Sequence, residues 1–254
     1  MLQIHQFPCL SDNYGFLVHE PESGATATID TPDAEEILRQ AAAKGWRITD
    51  IWNTHWHPDH AGGNARIKAE MGATVTGPAE VERIGAAPDR IVREGDVVKL
   101  GNIDARVLDV GGHTLGHIAY VFDGEQTAFV GDALFALGCG RIFEGTAEQM
   151  WASLQKIAAL PRETTLYCAH EYTQSNARFA VTVDSANDAL KARVAEIDQL
   201  RAAGKPTVPM QLHVEQATNP FLRAPLLKRE LGMESAADWE AFAEVRKRKD
   251  NFKG

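Results

Sequence analysis

Residues 55–60 of the chain read His55-Trp56-His57-Pro58-Asp59-His60, with three histidines and an aspartate within six positions. Residues 48–53 just before it are predicted to form a strand, so that His55 and His57, two positions apart at its end, project to the same side. The fixed φ of Pro58 suits the first turn of a helix, which places the last two donors at a helix start. Four nitrogen and oxygen donors thus meet in one segment, a spacing that predicts a metal site.

The composition is that of an ordinary globular protein. The 254 residues are 44% hydrophobic and 24% charged, which is enough apolar material for a core without disulfides. The three cysteines, Cys9, Cys139 and Cys168, are odd in number and form no Cys-x-x-Cys pair. We therefore expect reduced cysteines and a reducing compartment.

The charge and hydropathy of the chain argue against membranes and nucleic acids as partners. No apolar run reaches the ~18 residues of a membrane span, and the first residues lack the basic flank and apolar stretch of a secretory signal. The net charge of −9 argues against a general nucleic-acid binder. We expect a cytoplasmic monomer with no membrane or nucleic-acid partner.

The first two-thirds of the chain alternates between predicted strands and helices, separated by turns rich in Gly, Pro, Asn and Asp. The predicted strands are residues 2–7, 15–19, 25–30, 48–53, 105–110, 117–122, 126–130 and 165–168, and the predicted helices are residues 33–44, 64–71 and 147–160. This alternation predicts a layered α/β domain.

Strand signals become scarce after about residue 174, and helical signals dominate. Apolar side chains recur at helical spacing in residues 187–203 and again in residues 235–249, at Leu190, Val194, Ile197 and Leu200 and at Trp239, Phe242 and Val245. We therefore predict an α/β domain over residues 1–174 and a smaller α-helical domain over residues 175–254.

Three more candidate ligands occur later in the chain, since four donors do not complete the shells of two ions. His113 lies in a glycine-rich turn, Asp132 follows the strand 126–130, and His170 follows the strand 165–168. Strand ends are where open α/β folds place their sites. Imidazole and carboxylate donors without thiolate suit Zn, Fe or Mn, and seven ligands for two ions leave the open positions of a catalytic site. His117 and Glu171 are expected to support the ligands.

The C-terminal segment is strongly basic on an otherwise acidic chain, with the sequence Arg246-Lys247-Arg248-Lys249-Asp250-Asn251-Phe252-Lys253. Charge alone leaves two interpretations open. The segment is either a solvated tail or a site for a small anionic partner.

The metal motif, together with His113, Asp132 and His170, resembles the metallo-β-lactamase superfamily in order and spacing. Within it the chain is similar to the glyoxalase II (hydroxyacylglutathione hydrolase) family, on the evidence of residues 138–146, 169–173, 219–223 and 246–252. The resemblance spans essentially the whole chain. It implies an α/β fold, a four-layer αβ/βα sandwich with its metals at one edge, joined to a smaller α-helical substrate-binding domain.

The resemblance also implies a role for each site residue. One metal ion would be held by His55, His57 and His113, and the other by Asp59, His60 and His170, with Asp132 bridging. Contacts to the glutathione part would come from Arg141, Phe143, Tyr172, Arg246 and Lys249. At position 143 the family commonly has Tyr, so a hydroxyl contact is absent here.

The implied reaction is hydrolysis of S-D-lactoylglutathione, or another S-2-hydroxyacylglutathione, to glutathione and D-lactate or the corresponding 2-hydroxy acid. This is the second step of methylglyoxal detoxification. Two divalent ions, Zn before Fe or Mn, would activate water, and Asp59 or Asp132 would steer it. A thiol with a pKa of about 8.5 leaves without a strong general acid. Because glutathione carries two carboxylates, the resemblance favours the anion-binding interpretation of the basic segment.

Three alternatives stay open at this point. A persulfide dioxygenase with one iron would use fewer ligands, and another hydrolase specificity, such as lactonase or ribonuclease, would use the same metal core. A non-catalytic binding protein would be expected to lack ligands, whereas all seven candidates are present.

Overall fold

The computed structural model describes residues 1–85 and 87–254, which divide into two units. The first unit comprises residues 1–109 and 116–131, and the second comprises residues 110–115 and 132–254. Every strand and helix before residue 132 belongs to the first unit.

The first sheet of the first unit contains six strands in sequence order. They are β1 (Gln3–Cys9), β2 (Asn13–Glu20), β3 (Ala25–Ile29), β4 (Asp50–Trp52), β5 (Thr74–Gly77) and β6 (Arg90–Ile91). The first three are antiparallel, and β3 to β6 run parallel. Because Ile29 pairs with Trp52, the residues that follow β3 and β4 leave the sheet side by side at one edge. The metal motif follows β4 at this edge.

Helices cover one face of this sheet. They are α1 (Ala34–Lys44), α2 (Pro58–Ala61) and α3 (Asn64–Met71), and short 3₁₀ helices occupy Ala79–Ile84 and Asp123–Glu125. Asp33 caps α1 by accepting from two backbone N–H groups, and Gly45 ends the helix in the left-handed region at φ 68°. The buried face of α1, with Ile37 and Leu38, packs into a cluster with Leu17 and Ile51.

The second sheet of the first unit is an antiparallel meander of β7 (Val97–Leu100), β8 (Ile103–Asp109), β9 (Ile118–Phe122) and β10 (Thr127–Gly131). Aromatic rings join the two sheets face to face. Trp52 lies 5.1 Å from Tyr120 and 5.8 Å from Phe122 between ring centroids, and Phe16 lies 5.4 Å from Phe129. Burying each such ring contributes roughly 1.5–3 kcal/mol, which fixes the strand ends that carry the site.

The second unit is mainly helical. Its elements are β11 (Leu134–Phe135), β12 (Gly138–Cys139), α4 (Ala147–Ala158), β13 (Thr165–Cys168), α5 (Thr173–Val183), α6 (Asp188–Ala202), β14 (Met210–Gln211), α7 (Leu212–Thr218), α8 (Lys228–Leu231) and α9 (Asp238–Asp250). Ala177, Ala180, Leu190 and Ile197 pack α5 against α6. Phe221 joins this helical part to α9 through Phe242, with ring centroids 6.1 Å apart.

Each predicted strand and helix is present, with ends shifted by no more than three residues. The strand predicted at 48–53 ends at Trp52, so His55 and His57 lie in the loop beyond it rather than on the strand itself. The sequence analysis missed the short strands β5, β6, β7, β11, β12 and β14 and the helices α5, α7 and α8. Strands of two to four residues are too short to show a period.

Among residues 1–85 and 87–254, no helix is long and apolar enough to cross a membrane. The division into domains at residues 174 and 175 stays a prediction.

Candidate metal centre

The loop after β4 brings His55 and His57 together. His55 Nε2 lies 3.0 Å from His57 Nδ1, and the two ring centroids are 4.8 Å apart with the planes nearly perpendicular. Two ring nitrogens at this distance point toward a common position, as the ligands of one ion do. His55 is fully buried, which restricts the ring to this orientation.

The start of α2 supplies the second donor pair of the first unit. Pro58 is the first helical residue, as predicted, and Asp59 and His60 follow in the first turn. Asp59 Oδ2 lies 3.5 Å from His60 Nε2 and accepts a hydrogen bond from Asn13 Nδ2 at 3.1 Å. Asp59 is partly exposed whereas His60 is buried, so the pair lies where a ligand can reach it from solvent.

Two glycines allow the helix to begin so close to the sheet edge. A Cβ on Gly62 would lie 2.4 Å from the carbonyl oxygen of Pro58, and a Cβ on Gly63 would lie 2.8 Å from that of Thr31. Gly63 N instead donates to Thr31 O at 3.0 Å. Any side chain at these positions would move α2 and its two donors away from β3.

The three predicted ligands of the second unit also converge. Asp132 follows β10 and His170 lies two residues beyond β13, both at predicted strand ends. Asp132 Oδ2 lies 3.4 Å from His113 Nε2, and Asp132 Oδ1 lies 3.3 Å from His170 Nε2. All three residues are buried. One carboxylate therefore meets a different imidazole with each of its oxygens, an arrangement suited to bridging two ions.

The surroundings hold these three ligands in place. His113 Nδ1 lies 2.8 Å from the backbone oxygen of Arg141, to which it can donate, and Nε2 is the ring nitrogen that faces Asp132. The ring of His170 stacks on Tyr172 with centroids 4.7 Å apart at 3°. A Cβ on Gly140 would lie 2.0 Å from Asp132 O, so only glycine lets the chain pass this close.

The predicted substrate contacts Arg246 and Lys249 lie in α9 of the second unit. Arg246 is buried, and its Nη1 donates to Cys139 O at 2.9 Å while Nη2 donates to Asp250 at 2.8 Å. Lys249 Nζ donates to the backbone and side-chain oxygens of Ser175 at 3.1 and 3.2 Å. Arg246 and Lys249 are therefore packed into the second unit, whereas Lys247, Arg248 and Lys253 of the basic segment are exposed.

Lys249 lies in a strongly positive environment. Burial is the largest of the effects that lower its pKa to about 8, and the next are the positive charges of Arg246, Arg178 and Arg141. Several cations at one place repel one another, so an anion bound there would be stabilised. The second unit also exposes two aromatic rings, with Phe143 60% and Tyr172 38% exposed.

His117 and Glu171 support other groups within their own units. The buried ring of His117 stacks on that of His55 at 4.6 Å between centroids. Glu171 accepts from Thr207 N at 2.9 Å and from its hydroxyl at 2.6 Å, and it pairs with Arg201 at 3.3 Å. Glu171 thus anchors the segment after α6 beside His170.

Three residues at the site were missed by the sequence analysis: Asn13, Asp30 and Thr54. Asn13 holds the Asp59 carboxylate, Asp30 Oδ2 lies 2.8 Å from His60 Nδ1, and Thr54 Oγ1 lies 3.0 Å from His55 Nδ1. Asp30 had a usable signal, because it is a carboxylate at the end of the strand predicted at 25–30 and follows the observed strand β3 directly. Asn13 and Thr54 are recognised only once the pairing of β2, β3 and β4 is known.

Two family descriptions match the chain, and together they cover most of it. Residues 23–170 match the description "Metallo-beta-lactamase superfamily", and residues 171–252 match "Hydroxyacylglutathione hydrolase C-terminus". The observed α/β sheets and helical C-terminal region agree with both ranges.

Relatives in other organisms match over their full length. The chain is 61% identical over 254 residues to a hydroxyacylglutathione hydrolase of Erythrobacter litoralis, covering 99% of this chain and 100% of the relative. It is 58% identical to a hydroxyacylglutathione hydrolase of Hyphomonas neptunium, covering 99% of each. The crystal structure of ETHE1 from Myxococcus xanthus aligns with a TM-score of 0.69 at 24% identity, covering 96% of this chain and 90% of that one, and shows a shared fold.

These matches confirm the fold class that the motif at residues 55–60 predicts. They also extend through the helical end of the chain, where the metal motif alone carries no information. The chain belongs to the hydroxyacylglutathione hydrolase family of the metallo-β-lactamase superfamily.

Proposed function

We propose that this chain is a binuclear metal hydrolase that converts S-D-lactoylglutathione, or a related S-2-hydroxyacylglutathione, and water to glutathione and the 2-hydroxy acid. The observation that carries the proposal is the Asp132 carboxylate, which meets His113 with one oxygen and His170 with the other. A carboxylate that presents each oxygen to a different imidazole is suited to bridging two ions. The full-length similarity to hydroxyacylglutathione hydrolases supports the thioester substrate.

The ligand assignment follows from the donor pairs. One ion would bind to His55, His57 and His113, the other to Asp59, His60 and His170, and Asp132 would bridge them. The pairs within each unit support this assignment, with 3.0 Å between the His55 and His57 nitrogens and 3.5 Å between His60 and Asp59. Imidazole and carboxylate donors fit divalent ions, and we propose Zn²⁺, with Fe or Mn as alternatives.

Divalent ions at such a centre lower the pKa of a coordinated water to near 7 and polarise a carbonyl oxygen. Within the chain, Asn13 holds the partly exposed Asp59 carboxylate, which can orient the attacking water. Asp132 is buried and aligned by two imidazoles, so it keeps a fixed geometry during the reaction. The glutathione thiol has a pKa near 8.5 and leaves as thiolate, so no general acid is required.

Recognition of glutathione is proposed for the second unit, in the helical domain at residues 175–254 and the loops next to it. The cations Arg141, Arg246 and Lys249 would attract the carboxylates of glutathione. The exposed rings of Phe143 and Tyr172 would line its apolar backbone. Burial lowers the pKa of Lys249 most, and the neighbouring cations lower it further; a bound anion would relieve their mutual repulsion. We further propose a monomer in the cytoplasm.

Metal analysis combined with turnover tests the proposal. Purified protein should contain two ions per chain and hydrolyse S-D-lactoylglutathione, with release of thiol measured by a chromogenic reagent. The variant D132N should lose both activity and metal, because an amide cannot bridge two cations. Protein that carries two ions but does not turn over this thioester would contradict the substrate. Uptake of a single iron with oxygen consumption on a glutathione persulfide would instead support the dioxygenase alternative.

A further inference from the structure

The β11–β12 hairpin, residues 134–139, is buried throughout although it is a turn of the chain. Gly140 N donates to Ala133 O at 3.2 Å, and this hydrogen bond closes the base of the hairpin. The chain enters the hairpin from Asp132 and leaves it toward Arg141. A buried turn must satisfy its backbone N–H and C=O groups without water, so the partners of these groups determine its shape.

All three candidate ligands of the second unit depend on this hairpin. Asp132 lies directly before its base. His113 Nδ1 lies 2.8 Å from the backbone oxygen of Arg141, which follows the base on the other side. The ring of His170 meets the ring of Phe135 edge to face, with centroids 5.9 Å apart at 82°. A shift of the hairpin would therefore displace all three ligands together.

Asn219, at the C-terminal end of α7, binds the hairpin from the helical part of the unit. Its Nδ2 atom lies 3.0 Å from each of three acceptors, Phe135 O, Gly138 O and Glu215 Oε2, which share the two amide hydrogens. Its Oδ1 atom accepts from Phe221 N at 3.0 Å, so the NH₂ group faces the hairpin. Asn219 is fully buried, and loss of its side chain would leave backbone carbonyls without this donor.

Asn176 and Glu215 bind the tip of the same hairpin. Asn176 Nδ2, on α5, donates to Ala136 O at 3.1 Å. Glu215 Oε2, on α7, accepts from Leu137 N at 3.0 Å. A Cβ on Gly138 would lie 2.3 Å from Asn176 Nδ2, so glycine is needed for the amide to come this close.

The backbone of the tip indicates that its shape is imposed by the surrounding helices. Leu137 adopts φ 56°, in the left-handed region that a leucine enters only at a cost in free energy. Its N–H is held by Glu215, and the buried Glu215 carboxylate is fixed in turn by an ion pair with Arg193 of α6. The local sequence does not favour this turn, so its contacts with the helices must hold it.

We propose that Asn176 and Asn219 are positioning residues of the metal centre, which act on the ligands by holding the β11–β12 hairpin in place. The inference rests on the proposed function, in which the three ligands of the second unit share two ions. Asn219 belongs to residues 219–223, a stretch that carries the family resemblance and has no role in the proposed chemistry. The helical part of the chain thereby takes part in metal binding as well as in recognition of glutathione.

N219A removes the donor to Phe135 O and Gly138 O. Groups that directly support metal ligands commonly change metal affinity by about 10- to 100-fold when they are replaced. Because Asn219 acts one contact further away, we expect N219A to weaken Zn²⁺ binding by about 10-fold, at the lower end of that range. Both ions should be affected, since Asp132 is proposed to bridge them. N176A removes the donor to a single carbonyl and should weaken both ions by a smaller factor.

N187A is the matched control, because it is the same substitution at an asparagine that binds elsewhere in the unit. Asn187 caps α6 by accepting from Leu190 N at 3.1 Å, and its Nδ2 donates to Ala217 O at 2.9 Å. Loss of this cap should lower the unfolding temperature and leave the affinity for Zn²⁺ unchanged.

Two measurements on the four proteins test the proposal. Stepwise Zn²⁺ dissociation constants are obtained by competition with a chromophoric chelator after removal of metal. Amide hydrogen exchange of the metal-free proteins, followed by NMR at Leu137 and Gly140, reports opening of the hairpin. Relative to the slowest amides of the same protein, exchange at both positions should be about 10-fold faster in N219A and unchanged in N187A. Thermal unfolding gives the stability of each variant.

The inference is overturned by any of three results. They are folded N219A that binds both ions as tightly as the unmodified protein, N187A that weakens Zn²⁺ as much as N219A does, and exchange at Gly140 that does not rise in N219A. The exchange measurement needs no metal. An unmodified protein that bound fewer than two ions would therefore contradict the proposed function, while the exchange data still decided whether the asparagines hold the hairpin. If N219A failed to fold, the comparison of N176A with N187A would decide.

Discussion

A single side chain beside the candidate metal ligands, Phe143, is proposed to affect the binding of the substrate. Phe143 is 60% exposed and its ring lies 5.2 Å from that of His113, at the position where the family resemblance implies Tyr. An exposed ring there can gain a hydroxyl without disturbing the core. The residue therefore offers a way to change recognition of the glutathione part without touching the metal ligands.

We expect F143Y to lower KM for S-D-lactoylglutathione by about 2- to 10-fold, the effect of one added hydrogen bond. The value of kcat should stay near that of the unmodified enzyme, since the hydroxyl contacts the remote part of the substrate. Steady-state kinetics measure both constants. F143L, which has no hydroxyl, serves as the control and should not lower KM. Equal KM values for F143Y and the unmodified enzyme would exclude the contact.

Lys249 predicts a pH dependence of substrate binding. Its pKa is lowered to about 8, so the ammonium form predominates below pH 8 and the neutral amine above it. Attraction for a substrate carboxylate is therefore present below pH 8 and is lost as the pH rises through that value. KM should be constant below pH 8 and should increase between pH 8 and 9.5.

Two variants assign this inflection. K249M should have a raised KM with no inflection at pH 8, and K249R should keep its charge and lack the inflection as well. An inflection at pH 8 that persisted in K249M would assign it to the substrate or to another group.

Among the elements, α1 is a helix whose two ends are set by residues adjacent to it in the sequence. Helix caps depend on neighbouring residues, and Asp33 and Gly45 bound α1. Hydrogen bonds from Glu35 N and Glu36 N to Asp33, at 3.0 and 3.1 Å, satisfy the first turn. This helix packs on the sheet through Ile37 and Leu38, so its stability contributes to that of the first unit.

Removal of this cap should affect stability alone. D33A should lower the free energy of unfolding by about 1 kcal/mol, which lowers Tm by roughly 2–4 °C for a chain of this size. D33N retains the acceptor and should unfold close to the temperature of the unmodified protein. Thermal unfolding followed by circular dichroism measures the difference. A loss of bound metal in D33A would show that α1 has a role at the site that its position does not suggest.

Across the whole molecule, the three cysteines lie in the interior, where they are protected from reagents in solution. Cys9, Cys139 and Cys168 are free and buried, and burial raises their pKa values to about 12, 11 and 12. Both burial and the low thiolate fraction prevent reaction with electrophiles. The prediction of reduced cysteines agrees with this arrangement.

Alkylation with iodoacetamide at pH 7.5 should therefore modify none of the cysteines in the folded protein. The same treatment in guanidinium chloride should modify all three, which mass spectrometry of the intact chain counts. Rapid modification of one cysteine under native conditions would reveal local opening around it.

Much of the site could be predicted from the sequence, for identifiable physical reasons. The donors His55 to His60 are contiguous, and Asp132 and His170 follow strands that have clear patterns of their own. Asn13, Asp30 and Thr54 were missed because their roles depend on which strands lie side by side. The parallel pairing of Ile29 with Trp52 brings Asp30 close to Thr54. No local sequence pattern predicts that pairing. The division of the seven ligands between two ions stays a prediction.

The backbone angle of Asp30 has a consequence for which sequences can encode this site. A φ of 58° admits Gly, Asn and Asp with little strain. The donors around the side chain require a group that only accepts, which excludes glycine and the amide of asparagine. The backbone angle thus limits the choice to a few residues, and the two hydrogen bonds that Asp30 accepts from Thr54 favour aspartate among them. An aspartate placed directly after the third strand of such a sheet is therefore a marker that a designer or a sequence search could use together with the histidine motif.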